Sequence, residues 1–136
     1  MLLYGSNMVN NFILIVDDEK AILSTLELAL GDIAGAYNYS IKTFSDPDDC
    51  LKFFNSNEGS KYCRLVISDV DMPGMNGLEL QEAILKWGGK DIPYIFMTAG
   101  DTERLTKSGV EKDRIMSKPF DLMDLICKVE RYAKDR

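Results

Sequence analysis

Five side chains that can take part in chemistry lie at the ends of short apolar segments. They are Asp17, Asp18, Asp69, Thr98 and Lys118. Carboxylates that lie close together repel one another, and a divalent cation relieves that repulsion. Mg²⁺ prefers oxygen ligands in a near-octahedral shell and commonly keeps several waters. These residue types therefore predict a Mg²⁺ site built from carboxylates, with a hydroxyl and an ammonium group beside it.

A carboxylate in such a site can act as a nucleophile toward phosphorus. In this interpretation Asp69 attacks a phosphoryl donor and becomes an acyl phosphate. The Thr98 hydroxyl and the Lys118 ammonium would hold the transferred oxygens and their developing charge. Each residue alone indicates little, because acidic loop residues and surface lysines are common. Their combination at four strand ends is what favours phosphoryl transfer.

The apolar segments that precede these residues have the pattern of strands in a parallel sheet. The predicted strands cover residues 12–16, 39–43, 65–68, 94–97 and 115–116. Continuous apolar runs are typical of strands buried on both faces, whereas the alternation at 39–43 indicates a sheet edge. The segments between the strands carry apolar residues at steps of three and four, which predicts helices.

Capping and turn residues predict where these helices begin and end. The first helix is expected to stop around residues 31–35, and the second is expected to start in Ser45-Asp46-Pro47-Asp48 with an oxygen-bearing cap. The third helix is predicted to place Trp87 on its inner face. Residues 55–61 are predicted to form a loop, and the polar segment 101–113 gives the weakest helical pattern.

Five alternations of strand and helix predict an α/β fold. Parallel strands need crossover connections, so we expect a five-stranded parallel sheet with helices on both faces. With the strand order 2-1-3-4-5 of a flavodoxin-like (βα)5 fold, the candidate side chains would meet at the carboxyl edge of the sheet.

Length and the first residues indicate one domain. The chain has 136 residues, enough to bury a core without disulfides. Residues 1–10 lack the charged and apolar regions of a secretory signal. We expect them to be a disordered leader, native or added for expression, and residues 11–136 to form the domain. No apolar run is long enough to cross a bilayer.

Charge and missing residue types exclude several functions. A formal net charge of −6 disfavours direct nucleic-acid binding. The sequence has no histidine, which excludes histidine catalysis and histidine metal ligands within the chain. Three scattered cysteines fit a reducing compartment, so we expect a cytoplasmic protein that is not associated with membranes.

The motifs resemble the CheY-like receiver domain of response regulators in two-component phosphorelays. The matching segments are Asp17-Asp18, Val66 to Leu78 with its Asp69-Val70-Asp71-Met72-Pro73 core, Thr98-Ala99 and Lys118-Pro119-Phe120. The resemblance covers nearly all of residues 11–134. It implies a phosphoacceptor at Asp69, with Thr98 and Lys118 contacting the phosphoryl group.

The same resemblance implies a set of Mg²⁺ ligands. Asp18 and Asp69 would bind the ion directly, and Asp17 would act largely through water. The backbone carbonyl of Asp71 would complete the protein ligands. The Lys118-Pro119 peptide bond would be cis.

The resemblance also implies partners. A histidine kinase or a histidine phosphotransfer domain would be the donor, and phosphorylation would reshape the face of the fourth helix, fifth strand and fifth helix. That face would signal to a downstream protein or a fused output domain, or form a phosphorylation-dependent homodimer. The domain would be no conventional enzyme, since it would catalyse only its own phosphorylation and dephosphorylation. Ile115 replaces the aromatic residue usual in the family, and we expect it to pack as an ordinary strand residue.

Two other functions stay open at this point. Asp69-Val70-Asp71 after an apolar strand also fits a haloacid-dehalogenase-like phosphohydrolase, in which the second aspartate is a general acid and base. The chain has no substantial cap region, which disfavours that reading. A non-phosphorylated interaction module on the same fold is the second alternative, because fold alone does not determine function.

Overall fold

A computed structural model of the chain describes residues 11–56, 59–89, 91–100 and 102–134. The strands are β1 (Asn11–Val16), β2 (Tyr39–Phe44), β3 (Cys63–Asp69), β4 (Tyr94–Thr98) and β5 (Ile115–Ser117). The helices are α1 (Lys20–Ala36), α2 (Pro47–Phe54), α3 (Gly59–Tyr62), α4 (Gly77–Lys86), α5 (Glu103–Lys107) and α6 (Leu122–Lys134). The leader predicted at residues 1–10 lies outside the described residues. Within them, no helix combines the length and apolarity needed to cross a bilayer.

The strands form one sheet in the order β2-β1-β3-β4-β5. Every neighbouring pair is parallel. The predicted α/β architecture, strand order and edge position of β2 are therefore confirmed. In this order β1 and β3 are neighbours at the centre of the sheet, which brings their carboxyl ends together.

Side chains of β1 divide the core into two layers. Successive strand residues point to opposite faces of a sheet. Ile13 and Ile15 therefore join a buried cluster that includes residues of α1 and α6. Phe12, Leu14 and Val16 join a second cluster, with residues of α2, α4 and α5. Helices thus cover both faces of the sheet.

The first helix ends close to where its glycines predicted. The expected stop around residues 31–35 agrees to within one residue with the end of α1 at Ala36. Leu30 and Ala34 are still buried, and that burial offsets the cost of glycine inside a helix. The chain turns at Asn38, which has a φ of 60°, a left-handed conformation that asparagine tolerates.

Trp87 is not on the inner face of α4. The helix ends at Lys86, and Trp87 is its C-cap with 58% of its surface exposed. Leu80 and Ile84 carry the buried stripe. The helical spacing predicted a buried tryptophan, but the helix ends one residue before Trp87, so its side chain is not on the buried face.

A short helix interrupts the loop predicted at residues 55–61. Residues 57 and 58 lie outside the described residues, and α3 begins at Gly59. A Cβ on Gly59 would collide with the carbonyl of Phe53. This turn of helix packs closely against α2, and no periodicity in the sequence predicts it.

Candidate functional site

Three carboxylates meet where β1 and β3 end. Val16 pairs with Ser68, so the residues directly after them, Asp17 and Asp69, are neighbours. Asp17, Asp18 and Asp69 each offer an oxygen, and these oxygens lie within 4.8 Å of one another. Asp17 and Asp69 are buried, whereas Asp18 is exposed. The structure thus brings together the three aspartates that the sequence singled out.

Lys118 supplies positive charge to this acidic cluster. Its Nζ lies 2.7 Å from Asp17 Oδ2 and 3.5 Å from Asp69 Oδ1. It also lies 3.7 Å from Glu19 Oε1, a residue that sequence reasoning did not include in the site. The only signal for Glu19 was its place after Asp17-Asp18. The lysine therefore bridges the ends of β1 and β3 from the loop after β5.

Both oxygens of Asp17 have partners. Oδ1 accepts a hydrogen bond from the backbone N–H of Glu19 at 2.9 Å, and Oδ2 accepts one from Lys118. The residue is fully buried, and a buried carboxylate is stable only when it is paired. Asp17 is thereby fixed in place, and Asp18 is the carboxylate of the cluster that faces solvent.

The environment of Asp69 disfavours its negative charge. Burial raises the pKa of Asp69 to about 6, the charge of Asp17 adds to the increase, and Lys118 partly offsets it. Burial lowers the pKa of Lys118, but its hydrogen bond with Asp17 and the charges of both aspartates outweigh that effect and raise it. A divalent cation at the cluster would remove the cost of ionising Asp69.

Thr98 lies at the end of β4, buried beside the cluster. Its Oγ1 accepts a hydrogen bond from the backbone N–H of Gly100 at 3.0 Å. The hydroxyl proton is then available for another acceptor. The backbone N–H of Lys118 donates to the carbonyl of Thr98 at 2.7 Å, and the Lys118-Pro119 peptide bond is cis, as the resemblance implied. Thr98 and Lys118 are therefore held side by side.

The side chain of Asp71 is turned toward α5. Its Oδ1 accepts a hydrogen bond from Arg104 Nη2 at 2.9 Å. The predicted role of Asp71 used its backbone carbonyl, and this ion pair was not predicted. Nothing in the sequence pattern links Arg104 with a residue 33 positions away.

Comparison with known sequences identifies the family of this chain. A sequence model described as "Response regulator receiver domain" matches residues 13–130. The chain belongs to this family. Similar curated proteins include the transcriptional regulatory protein YvrH of Bacillus subtilis, 31% identical over 93% of this chain and 51% of YvrH. The response regulator MprA of Mycobacterium sp. strain KMS is also 31% identical, over 90% of this chain and 50% of MprA. This receiver domain thus spans about half the length of these relatives.

Solved structures give the same result. A two component transcriptional regulator AraC from Clostridium phytofermentans superposes with a TM-score of 0.76 at 25% identity, covering 92% of this chain and 94% of the other. The HemR receiver domain from Leptospira biflexa has a TM-score of 0.71 at 28% identity, covering 91% and 94%. The fold and the family predicted from the sequence are both confirmed.

The donor set of this receiver domain fits Mg²⁺. Its side chains offer carboxylate oxygens, with an exposed Asp18 beside the buried Asp17 and Asp69. Oxygen ligands with access to water are what Mg²⁺ requires. Burial and the neighbouring charge of Asp17 both raise the pKa of Asp69, and a bound cation would offset both effects. Asp18 and Asp69 are the side chains that would hold the ion.

The start of α4 packs tightly against the backbone of Asp69. Gly77 begins α4, and a Cβ there would lie 2.5 Å from the carbonyl oxygen of Asp69. Asn76 caps the same helix by accepting from the N–H of Glu79. The hydroxyl of the buried Tyr94 donates to the Gly77 carbonyl at 3.4 Å. Sequence reasoning missed Tyr94 because a buried strand tyrosine looks like any other core residue.

Proposed function

We propose that this receiver domain accepts a phosphoryl group on Asp69 in the presence of Mg²⁺. The observation that carries the proposal is the placement of Lys118 between Asp17 and Asp69, at a cluster of three carboxylates. Such a site has a nucleophile, a cation for the transferred oxygens and oxygen ligands for a metal.

The transfer itself is a displacement at phosphorus. A carboxylate oxygen of Asp69 forms a bond to phosphorus while the bond from phosphorus to the donor breaks, and the leaving atom keeps the electron pair. Bound Mg²⁺ supplies charge neutralisation for the phosphoryl oxygens. Because the chain has no histidine, a phosphohistidine donor must belong to a partner, namely a histidine kinase or a histidine phosphotransfer domain.

Lys118 and Thr98 hold the product. The ammonium of Lys118 is already 3.5 Å from Asp69, so it can pair with a phosphoryl oxygen after a small movement. The hydroxyl of Thr98 can donate to a second oxygen. These hydrogen bonds are made to developing negative charge, where they stabilise most. In this proposal the domain promotes only its own phosphorylation and dephosphorylation, and it is not a conventional enzyme.

The proposed signal passes through α5, β5 and α6. Thr98 ends β4 and Lys118 follows β5, so holding a phosphoryl group biases the position of both strand ends. Ile115, at the start of β5, packs against the second core cluster as expected for a strand residue. We propose a downstream protein, a fused output domain or a second phosphorylated copy as the recipient. We also propose that the domain works in the cytoplasm, which fits its scattered cysteines in a reducing compartment.

Intact-mass analysis tests the proposed function. The protein is incubated with acetyl phosphate, with Mg²⁺ or with EDTA, and compared with Asp69→Asn. We expect one added phosphoryl group in the wild-type protein with Mg²⁺, and none with EDTA or in the variant. Asp124→Asn, an exposed change on α6, is the matched control and should accept the group normally.

The alternatives make different predictions. A phosphohydrolase would turn over small phosphate esters and lose that activity in Asp71→Asn. Asp71 Oδ1 is occupied by Arg104, whereas a general acid and base must contact the reacting group, and this disfavours the role. A non-phosphorylated interaction module would show no adduct under any condition, and that result would overturn the proposal.

A further inference from the structure

Arg104 and Asp71 form an ion pair beside the acidic cluster. Arg104 is in the first turn of α5, and Asp71 is two residues beyond Asp69. Arg104 Nη2 and Asp71 Oδ1 are 2.9 Å apart, and the two side chains are 53% and 56% exposed. Exposed pairs of this kind contribute little to stability. The pair therefore matters less for stability than for the net charge near the site, because Arg104 neutralises the carboxylate of Asp71.

The carboxylate of Asp71 borders the space next to Thr98. Its Oδ2 lies 3.7 Å from the point that a Cβ on Gly100 would occupy, and Thr98 Oγ1 lies 3.7 Å from the same point. Glycine at this position keeps that space open. Under the proposed function, the Thr98 hydroxyl holds a phosphoryl oxygen, so Asp71 lies close to the approach of the donor.

The site already carries an excess of negative charge. Asp17, Asp18 and Asp69 form the cluster, Glu19 lies beside it, and Lys118 is shared among three of these four carboxylates. Phosphoryl donors are anions, and each further negative charge on their approach slows association. An unpaired Asp71 would add such a charge.

We propose that Arg104 is a positioning residue that neutralises Asp71 and holds its carboxylate away from the incoming phosphoryl group. This inference rests on the proposed function of Asp69. The neighbouring cation on the helix does not serve the same purpose, because Lys107 pairs with Glu103 within α5 at 2.9 Å. Arg104 is thus the cation of α5 that reaches the loop after β3.

A charge-rescue experiment tests this role. The rate of Mg²⁺-dependent phosphorylation by acetyl phosphate is measured at low ionic strength for the wild type, Arg104→Gln, Asp71→Asn and the double variant. We expect Arg104→Gln to slow phosphorylation about threefold to tenfold, the effect in water of one uncompensated charge on a nearby anionic donor. The double variant should recover the rate of Asp71→Asn, because the carboxylate to be neutralised is then gone.

Two further comparisons separate charge from structure. Arg104→Lys should keep most of the rate, and added salt should shrink the deficit of Arg104→Gln. Lys107→Gln removes an equal charge from the same helix and should leave the rate unchanged. A wild-type rate in Arg104→Gln, or an equal loss in the double variant, would overturn the inference alone. Absence of any adduct in the wild-type protein would overturn the proposed function and this inference with it.

Discussion

Lys118 Nζ lies 2.7 Å from Asp17 Oδ2, and this contact joins residues 101 positions apart in the chain. Asp17 is fully buried, and the side chain of Lys118 is 13% exposed. Since a buried carboxylate without a partner is strongly destabilising, the lysine has a structural role before any phosphoryl group arrives. The same ammonium group therefore stabilises the folded protein and is available for the proposed chemistry.

Replacing Lys118 with methionine should destabilise the metal-free protein. The change keeps a long apolar stem but leaves Asp17 buried without its cation. We expect the free energy of unfolding to fall by about 2–4 kcal/mol in EDTA. Adding Mg²⁺ should recover part of that loss, because a dication also compensates the carboxylates. Urea unfolding with and without Mg²⁺ measures both effects.

Lys107→Met is the matched control, since its side chain is 74% exposed. It should change the free energy of unfolding by no more than about 0.5 kcal/mol. Asp17→Asn combined with Lys118→Met should be more stable than Lys118→Met alone. Equal losses in the two lysine variants would contradict the account.

Asp69→Asn should stabilise the metal-free protein at neutral pH. The pKa of Asp69 rises from 3.8 to about 6 on folding, chiefly because the carboxyl is buried. Between these values the folded state binds more protons than the unfolded state, so stability falls as the pH rises. Above about pH 6 the cost is fully present, and it amounts to about 2–3 kcal/mol. Asparagine carries no charge and avoids it.

The pH dependence of unfolding in EDTA checks this prediction. The stability gap between Asp69→Asn and the wild type should be largest above pH 6 and should shrink as the pH falls toward 4. Mg²⁺ should reduce or reverse the gap, because it stabilises the wild-type carboxylate. A gap that does not vary with pH would show that ionisation of Asp69 is not its cause.

Gly77→Ala should disturb the backbone of Asp69 and Val70. The new Cβ would lie 2.5 Å from the carbonyl oxygen of Asp69 and 3.0 Å from Cα of Val70. Backbone atoms must move to admit it, so we expect a loss of about 1–3 kcal/mol in unfolding free energy. The stabilisation by Mg²⁺, measured as a shift in Tm, should also decrease.

Gly31→Ala provides the comparison within a helix. A Cβ there meets nothing within 4 Å, and alanine favours a helix over glycine by about 0.5–1 kcal/mol. This variant should therefore be more stable than the wild type and keep the full Mg²⁺ response. If Gly77→Ala were also more stable than the wild type and kept the full Mg²⁺ response, the close packing of Gly77 against Asp69 would not matter for the site.

The sequence was most informative where local pattern and chemistry coincide. Apolar runs that end in Asp17, Asp69 and Thr98 predicted the strands, and the alternation of elements predicted their parallel order. An oxygen-bearing cap was predicted for the second helix in the segment Ser45 to Asp48, and the side chain of Asp46 does accept from the N–H of Asp48. These features depend on a few neighbouring residues, so they can be read without knowing the rest of the fold.

Features that depend on distant packing were missed. Trp87 follows the helical spacing of Ile84 but leaves the core, because α4 ends at Lys86 and Trp87 is its C-cap. The ion pair of Asp71 with Arg104 exists only because the loop after β3 faces α5. Neither arrangement has a signature in local composition or periodicity. The site was therefore predicted in its central residues and not in its surroundings.

Trapping of the phosphorylated residue tests the central claim most directly. Borohydride reduces an aspartyl phosphate to homoserine, and peptide mass analysis then identifies the modified position. After treatment with acetyl phosphate and Mg²⁺, the account predicts homoserine at Asp69 and unmodified Asp17, Asp18 and Asp71. Modification at one of those three residues, or at none, would contradict it.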